Sequence, residues 1–515
     1  PWTGLRRLLY TKAMKSPLKR RSFVTMLTAG LTLLDDAAAK MTNPLFKVSL
    51  KDAHKGTLEV DTQLLDSFKR LPENIRSFYL EARDVFAGST TADFSDPAIV
   101  KAAKTHGQVL MGGPLLGDLQ PDGVTVWLRP ARSEALTIKM TQVVGKDSQS
   151  IDVKSFTPGT EQRIRLKGLT PNTAYRYEVS AKDQEVANGS FTTAPTQEAK
   201  GMFRVAFGSC CHKIGIHNPN LFSQIRNRAP HALLIIGDSA VDDRENQINM
   251  HRADYQLRDV SAPWRDLTAN IPTYCSWDDH DYFNNDLNGI PKRFTAADRE
   301  EVRKVWQQNW NNPAAEDDRE GIYFNTRIGP AEVIMLDTRS CRDNKRRNEH
   351  HSYLGEPQMA WLKKVLQAST APFKIISSGT MWSDYVSNAK DSWGSWDVEA
   401  REEIFDLIEQ EKIGGVLLIS GDRHGARGFK IPRPSGFAFH EFEAATLGGV
   451  SGPAGLVKNC PEQLFGYDGK DFIAFGEFTF DTSDKDPQVT FRLIDQSGSI
   501  KEEHPLSLQQ LTPDA

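Results

Sequence analysis

Cysteine is scarce in this chain, with five in 515 residues. Cys210, Cys211, Cys275, Cys341 and Cys460 are odd in number and lack zinc-ribbon spacing. A disulfide framework does not suit a chain this long, which leaves at least one thiol for other work. Long apolar runs are also missing. No stretch of 18 apolar residues is present, so no segment reads as a membrane-spanning helix. Excess positive charge is absent too. Lys and Arg total 63 against 67 Asp and Glu, a net charge of −4, and the basic residues form no stripes. That balance implies no nucleic-acid partner.

The length exceeds what one hydrophobic core usually serves, so two or more domains are expected. The chain is organised around Gly415 to Gly425, GVLLISGDRHG. Its continuous apolar run reads as a strand buried on both faces. A carboxylate and an imidazole, Asp422 and His424, follow at its carboxyl end. Ligands bind at that end of the strands in open α/β sheets.

Residues 1–40 contain Lys19-Arg20-Arg21, a weakly apolar stretch and Ala37-Ala38-Ala39. That order resembles a twin-arginine export signal and implies a periplasmic or secreted protein, although Asp35 and Asp36 interrupt it. A basic leader on a cytoplasmic protein is the alternative. Residues 41–106 have helical periodicity and no evident chemistry, and are expected to pack as an adaptor. From 107 to 195 the period becomes two, with turn signals at short spacing, as in a β-sandwich. The pattern Leu169-Thr170-Pro171-Asn172-Thr173-Ala174-Tyr175-Arg176-Tyr177 resembles the tyrosine corner of fibronectin type III modules.

Residues 201–511 alternate strands with amphipathic helices and read as an α/β layered domain. Six strands end in polar residues: 205–207 before Gly208-Ser209-Cys210, 232–236 before Gly237-Asp238, and 274–277 before Asp278-Asp279-His280-Asp281. The other three are 333–336 before Asp337-Thr338-Arg339, 373–376 before Ser377-Ser378-Gly379, and the 415–425 stretch. Brought together, Asp238, Asp279 and Asp422 would repel and raise one another's pKa. A multivalent cation removes that penalty, so three carboxylates with His424 read as a metal site. A central Asp can bridge two ions roughly 3.5–4 Å apart, which suits phosphoryl displacement. Arg339 suits a phosphate oxygen, or pairs with Asp337. His280 is placed to protonate a leaving group.

These strand ends resemble the calcineurin-like metallophosphoesterases, and within them the PhoD-like alkaline phosphatases. The resemblance rests on Trp277-Asp278-Asp279-His280-Asp281 and Gly421-Asp422-Arg423-His424 at matching positions and covers about residues 107 to 505. It implies two mixed sheets flanked by helices, preceded by the fibronectin-like sandwich. The activity it implies is hydrolysis of phosphate monoesters and diesters by a metal-bound hydroxide, with Asp279, His280 and Arg339 assisting. It further implies metal ligation by Cys210, Asp238, Asp279, Asn284 (with Asn285 as neighbour), Asp422 and His424. The metals would be calcium and iron, or another divalent pair. One position departs from the pattern: Val241 stands where the family places a tyrosine ligand, which leaves a coordination place for Asp242 or water.

Each residue has a plainer alternative. Cys210 can be an inert buried thiol, and Asp278 an orienting neighbour of the ligands. His212, His350 and His351 are expected on the surface, although His212 follows the thiol closely enough to touch substrate. Two rival functions stand beside the phosphoesterase. One is a hydrolase with Cys210 as nucleophile; the other is a binding protein with a degenerate catalytic domain.

Overall fold

Long-range pairing sets the strand ends in this protein. The apolar run 205–207 extends to Met202–Gly208 because Met202 and Phe203 pair with Asp481 and Phe480 near the other end of the sequence. The computed structural model describes residues 41–514 except 146, 154–155, 242–246, 315–318 and 387–390. The leader, 1–40, and the charged pair Asp242 and Asp243 lie outside the described residues.

Strands β1 (Leu110–Gln120), β2 (Gly123–Pro130), β3 (Leu136–Gln142), β4 (Ser148–Val153), β5 (Gln162–Lys167), β6 (Ala174–Ala181) and β7 (Gln184–Thr192) form two antiparallel sheets, ordered β1-β2-β5 and β4-β3-β6-β7. Tyr175 accepts a hydrogen bond on its phenol oxygen from the Thr170 backbone at 3.0 Å, tying the turn to the strand. Two phenols fasten this region to the next. Tyr274 accepts from Leu119 at 2.7 Å and Tyr177 donates to the Ala269 carbonyl at 3.0 Å.

The next strands are β8 (Met202–Gly208), β9 (Ala232–Ile236), β10 (Thr273–Ser276), β11 (Phe324–Ile328), β12 (Ala331–Met335), β13 (Phe373–Ser378) and β14 (Val416–Ser420). They continue with β15 (Gly425–Pro432), β16 (Ala438–Ala444), β17 (Gln463–Asp468), β18 (Ala474–Asp481), β19 (Gln488–Asp495) and β20 (Ile500–Ser507). One sheet runs β10-β9-β8-β18-β19-β20, the other β11-β12-β13-β14-β16-β15-β17, and both mix parallel and antiparallel pairs.

The period-two geometry of a strand explains the layering. Leu234 and Ile236 share an apolar core with Ile375, Leu417, Ile419 and Phe442 of the other sheet. The alternate residues Leu233 and Ile235 face the cluster that holds Met250, Ala253 and Leu257 of helix Ile248–Val260. Ile376 and Leu418 instead meet Leu362 and Ile404, from helices Gly355–Ala368 and Val398–Gln410. Strands β9, β12, β13 and β14 are therefore buried on both faces, which is why these runs read as continuously apolar. The fold is mixed α/β with several sheets. Residues 44–515 form one compact unit, and helix Glu73–Gly88 packs on helix Ile248–Val260. Among the described residues no helix is long and apolar enough to cross a membrane.

Candidate metal centre

The ends of β8, β9, β10 and β14 converge through turns that L-residues rarely adopt. Cys210, His212, Asp238, Asp422 and His424 all have left-handed backbone, with φ of 55°, 49°, 51°, 69° and 40°. Each such residue costs on the order of 1–3 kcal/mol unless its surroundings impose the conformation, and such residues gather at functional sites. Here the loops impose it. The Cys210 N–H donates to the Gly237 carbonyl at 3.3 Å, and the His212 N–H to the Asp238 carbonyl at 2.8 Å. Glycine permits the close approach: a Cβ on Gly237 would lie 2.4 Å from the Cβ of Asp278.

Four of these residues form one donor group. The ligand atoms of Cys210, His212, Asp238 and His424 all lie within 4.8 Å of one another. His212 Nε2 and His424 Nε2 face each other at 3.3 Å. Cys210 Sγ stands 3.6 Å from Asp238 Oδ2. Two nitrogens on one tetrahedral zinc stand roughly 3.3 Å apart, and a sulfur and an oxygen ~3.6 Å apart, given the usual bond lengths. His424 Nδ1 lies 2.8 Å from the Ser451 carbonyl, which accepts only from N–H and so leaves Nε2 as a lone pair. The donors therefore fit a first-row metal ion, and His212 completes the set where Val241 cannot. Val241 is buried in the apolar core.

Three more groups adjoin the first: Asp238 with Asp279 and His280, Asp278 with Asp279 and Asp422, and His54 with His212 and His280. Asp238 belongs to the first and second groups, as a bridging carboxylate requires. Burial, and then Asp279, push the Asp238 carboxyl well above its usual range. Burial, Asp278 and Asp391 do the same to Asp422. Asp278 is raised to about 6 by burial, against the pull of Arg339. Burial also raises Asp279, but Arg339, His280 and the Asp286 and His280 amides outweigh it and leave that group below its usual value. The Cys210 thiol is raised by burial and by Asp238. His424 is held at about 3 by burial and by His212. The upward shifts of Asp238, Asp422 and Cys210 share one cause: they are buried beside other carboxylates with too little positive charge, a deficit that bound cations relieve.

Arg339 is the buried countercharge. Its guanidinium lies 2.5 Å from Asp278, 2.9 Å from Asp391, 3.9 Å from Asp279 and 4.0 Å from Asp422. The side chain pairs with these carboxylates, not with Asp337, which meets only the Arg339 backbone N–H, at 3.0 Å. Asp337 instead takes the Trp277 indole N–H at 2.7 Å and the Ser340 hydroxyl. His280 is buried within ring distance of His54 and His212, at 4.7 and 5.1 Å between centroids.

Asn284 is half-buried. Its carboxamide oxygen accepts from the Asn285 backbone at 2.6 Å, and no hydrogen bond joins it to the carboxylates among the described residues. Asn285 is exposed and donates to Asp286. His350 and His351 lie away from the centre, both paired with Glu403.

Three site residues escape the sequence analysis. His212, expected on the surface, is fully buried among the donors. Its signal was present: Cys210-x-His212 repeats the spacing of Asp422-x-His424. Asp391 bridges Arg339 and Arg342 and, among the described residues, directly follows no strand. His54 comes from the helical segment 41–106, where no chemistry was expected. A cavity of about 1140 Å³ bounded by His440, His504 and Gln510 contains none of these donors.

The family model of PhoD-like phosphatase matches residues 220–462. Alkaline phosphatase D of Bacillus subtilis (strain 168) is 25% identical over 220 residues, which cover 36% of this chain and 35% of that protein. The match thus spans about a third of the curated relative's length. Among solved structures, that of PhoD aligns with a TM-score of 0.60 at 17% identity, covering 76% of this chain and 92% of that one. A purple acid phosphatase from yellow lupin (Lupinus luteus) seeds aligns at 0.53 and 14% identity, covering 77% and 75%. At these identities the structural likeness concerns the fold.

Proposed function

We propose that the protein is a metal-dependent phosphoesterase, starting from the match of residues 220–462 to the family model of PhoD-like phosphatase. The observation that carries it is the convergence of Cys210, His212, Asp238, Asp279, Asp422 and His424 on adjoining donor groups at the strand ends. Cys210, His212, Asp238 and His424 would hold one ion, and Asp238, Asp279 and Asp422 a second. Bound there, the ions would lower the pKa of a water nucleophile and neutralise charge on the phosphoryl group.

The chain's own residues supply the rest. Arg339 fixes the orientation of Asp278 and Asp279. His280, within reach of Asp238 and Asp279, transfers an imidazole proton to the leaving-group oxygen. Its loss should slow turnover by about 10²–10⁴-fold. Cys210 is a ligand in this scheme and not a nucleophile, since burial and Asp238 disfavour the free thiolate.

The finer points belong to the same proposal. The substrates are phosphate monoesters and diesters, of a small molecule, a polymer or a lipid headgroup. Calcium suits the carboxylate group. The thiolate, carboxylate and two imidazoles suit iron or another first-row ion. The sandwich of β1–β7 is taken as fibronectin type III-like, and Arg20-Arg21 as the basis for export to the periplasm.

Turnover of p-nitrophenyl phosphate and its bis-ester by Asp238→Asn tests the function. The variant should lose both activities; unchanged turnover would remove the proposal.

A further inference from the structure

We propose that His54 contacts the substrate, its imidazole donating to a phosphoryl oxygen of the ester held beside His280. The assignment rests on the phosphoesterase function above, but it concerns a residue outside the family-matched segment. The ring of His54 lies 4.7 Å from that of His280, inclined at 32°, and 6.2 Å from that of His212. Nitrogens of the three imidazoles lie within 4.8 Å of one another. His212 and His280 are buried, and His54 is half-buried.

His54 is held there by buried charge. It caps the short helix Leu50–Ala53. Two residues on, the Gly56 carbonyl accepts from Arg83 at 2.8 Å. Arg83 also donates to Asp61 at 2.7 Å, and the other oxygen of Asp61 lies 2.6 Å from the ammonium of Lys213, the residue after His212. Lys213 pairs with Asp254 at 2.9 Å as well. All four charged side chains are buried. The segment that carries His54 and the loop that carries His212 are thus bolted together through opposed charges that neither can leave unpaired.

Phosphoryl oxygen suits this imidazole better than a third cation does. His212 already turns Nε2 towards His424 in the four-donor group, and His280 stands in the group with Asp238 and Asp279. A third ion would require both to bridge. A phosphoryl group presents several oxygens, each able to accept from a separate donor.

The test is calorimetric binding of inorganic phosphate to the metal-bearing full chain, with metal content measured on the same samples, for wild type, His54→Ala and His54→Asn. His54→Ala should bind phosphate about tenfold more weakly, the loss of one hydrogen bond to a charged group. His54→Asn, which keeps an N–H donor, should recover part of it, and both variants should retain the wild-type metal content. Steady-state turnover of p-nitrophenyl phosphate should show the change chiefly in KM. Unchanged phosphate affinity in His54→Ala, loss of a metal equivalent with it, or a wild type that binds no phosphate would each overturn the assignment. Wild-type turnover with unaltered phosphate binding in His54→Ala would sink the His54 assignment and leave the phosphoesterase standing. A wild type without turnover, yet with the tenfold loss in His54→Ala, would sink the phosphoesterase and leave His54 as a phosphate-binding residue only.

Discussion

Nε of Arg339 stands 2.5 Å from Oδ1 of Asp278 in the floor of the site, and both side chains are buried. The same guanidinium lies within 4.0 Å of Asp279, Asp391 and Asp422. Removing it takes the paired guanidinium from buried Asp278 and Asp279 and leaves Asp391 with Arg342 alone. Arg339→Met should therefore destabilise the chain by about 3–5 kcal/mol, the usual result of breaking a buried ion pair from one side. Arg339→Lys should recover only part of this, because an ammonium cannot reproduce the planar fork. Urea denaturation measures both. A stable Arg339→Met chain that suffers only in KM would assign Arg339 to phosphate alone.

His212 is predicted to hold metal. Substituting His212→Ala should remove about one metal equivalent per chain after dialysis, as read by elemental analysis. Cys211→Ser is the control: Cys211 is buried beside the site but absent from the donor groups, and that variant should keep its metal.

Gly421 lets β14 approach β8 and β9. A Cβ there would lie 2.7 Å from Ser209 Oγ, 2.9 Å from the Ile236 carbonyl and 3.0 Å from the Gly379 carbonyl. Two of these contacts are backbone and cannot rotate away. Gly421→Ala should cost about 1–3 kcal/mol and also weaken metal retention, since Asp422 follows directly. A thermal melt and a metal assay check the two effects separately.

Acid should destabilise the fold through histidines remote from the chemistry as well. Burial, with Lys430 adding to it, holds His440 at about 4; burial and Lys213 hold His217 at about 3. An unfolded histidine titrates near ~6.5. Above that pH both states are neutral and nothing is lost. Below it the unfolded chain takes up a proton that the folded one refuses. Stability then falls by about 1.4 kcal/mol per pH unit for each histidine, down to the folded pKa. Urea midpoints at pH 7 and pH 5 should differ less for His440→Gln than for wild type.

The layered domain was legible because its strands are buried on both faces and so spell unbroken apolar runs. The carboxylates were legible because each follows such a run, as Asp238 follows Ile236 and Asp422 follows Ser420. His212 was legible in principle, sharing its two-residue spacing with Asp422 and His424, yet a lone histidine after a thiol carries little weight without a partner in view. His54 had no local signal. Its place depends on Arg83, Asp61 and Lys213 meeting across the fold, and that pairing exists only after the helical segment has docked. Asp391 was hidden for the same reason: its pairing with Arg339 and Arg342 also forms only across the fold.

The account depends on cations balancing the crowded carboxylates, and elemental analysis of the purified full chain tests that most directly. Two metal ions per chain are predicted, with both diminished in Asp238→Asn because Asp238 is assigned to both ions. Protein that is folded by circular dichroism, yet carries no stoichiometric metal and takes none up on titration, would contradict it.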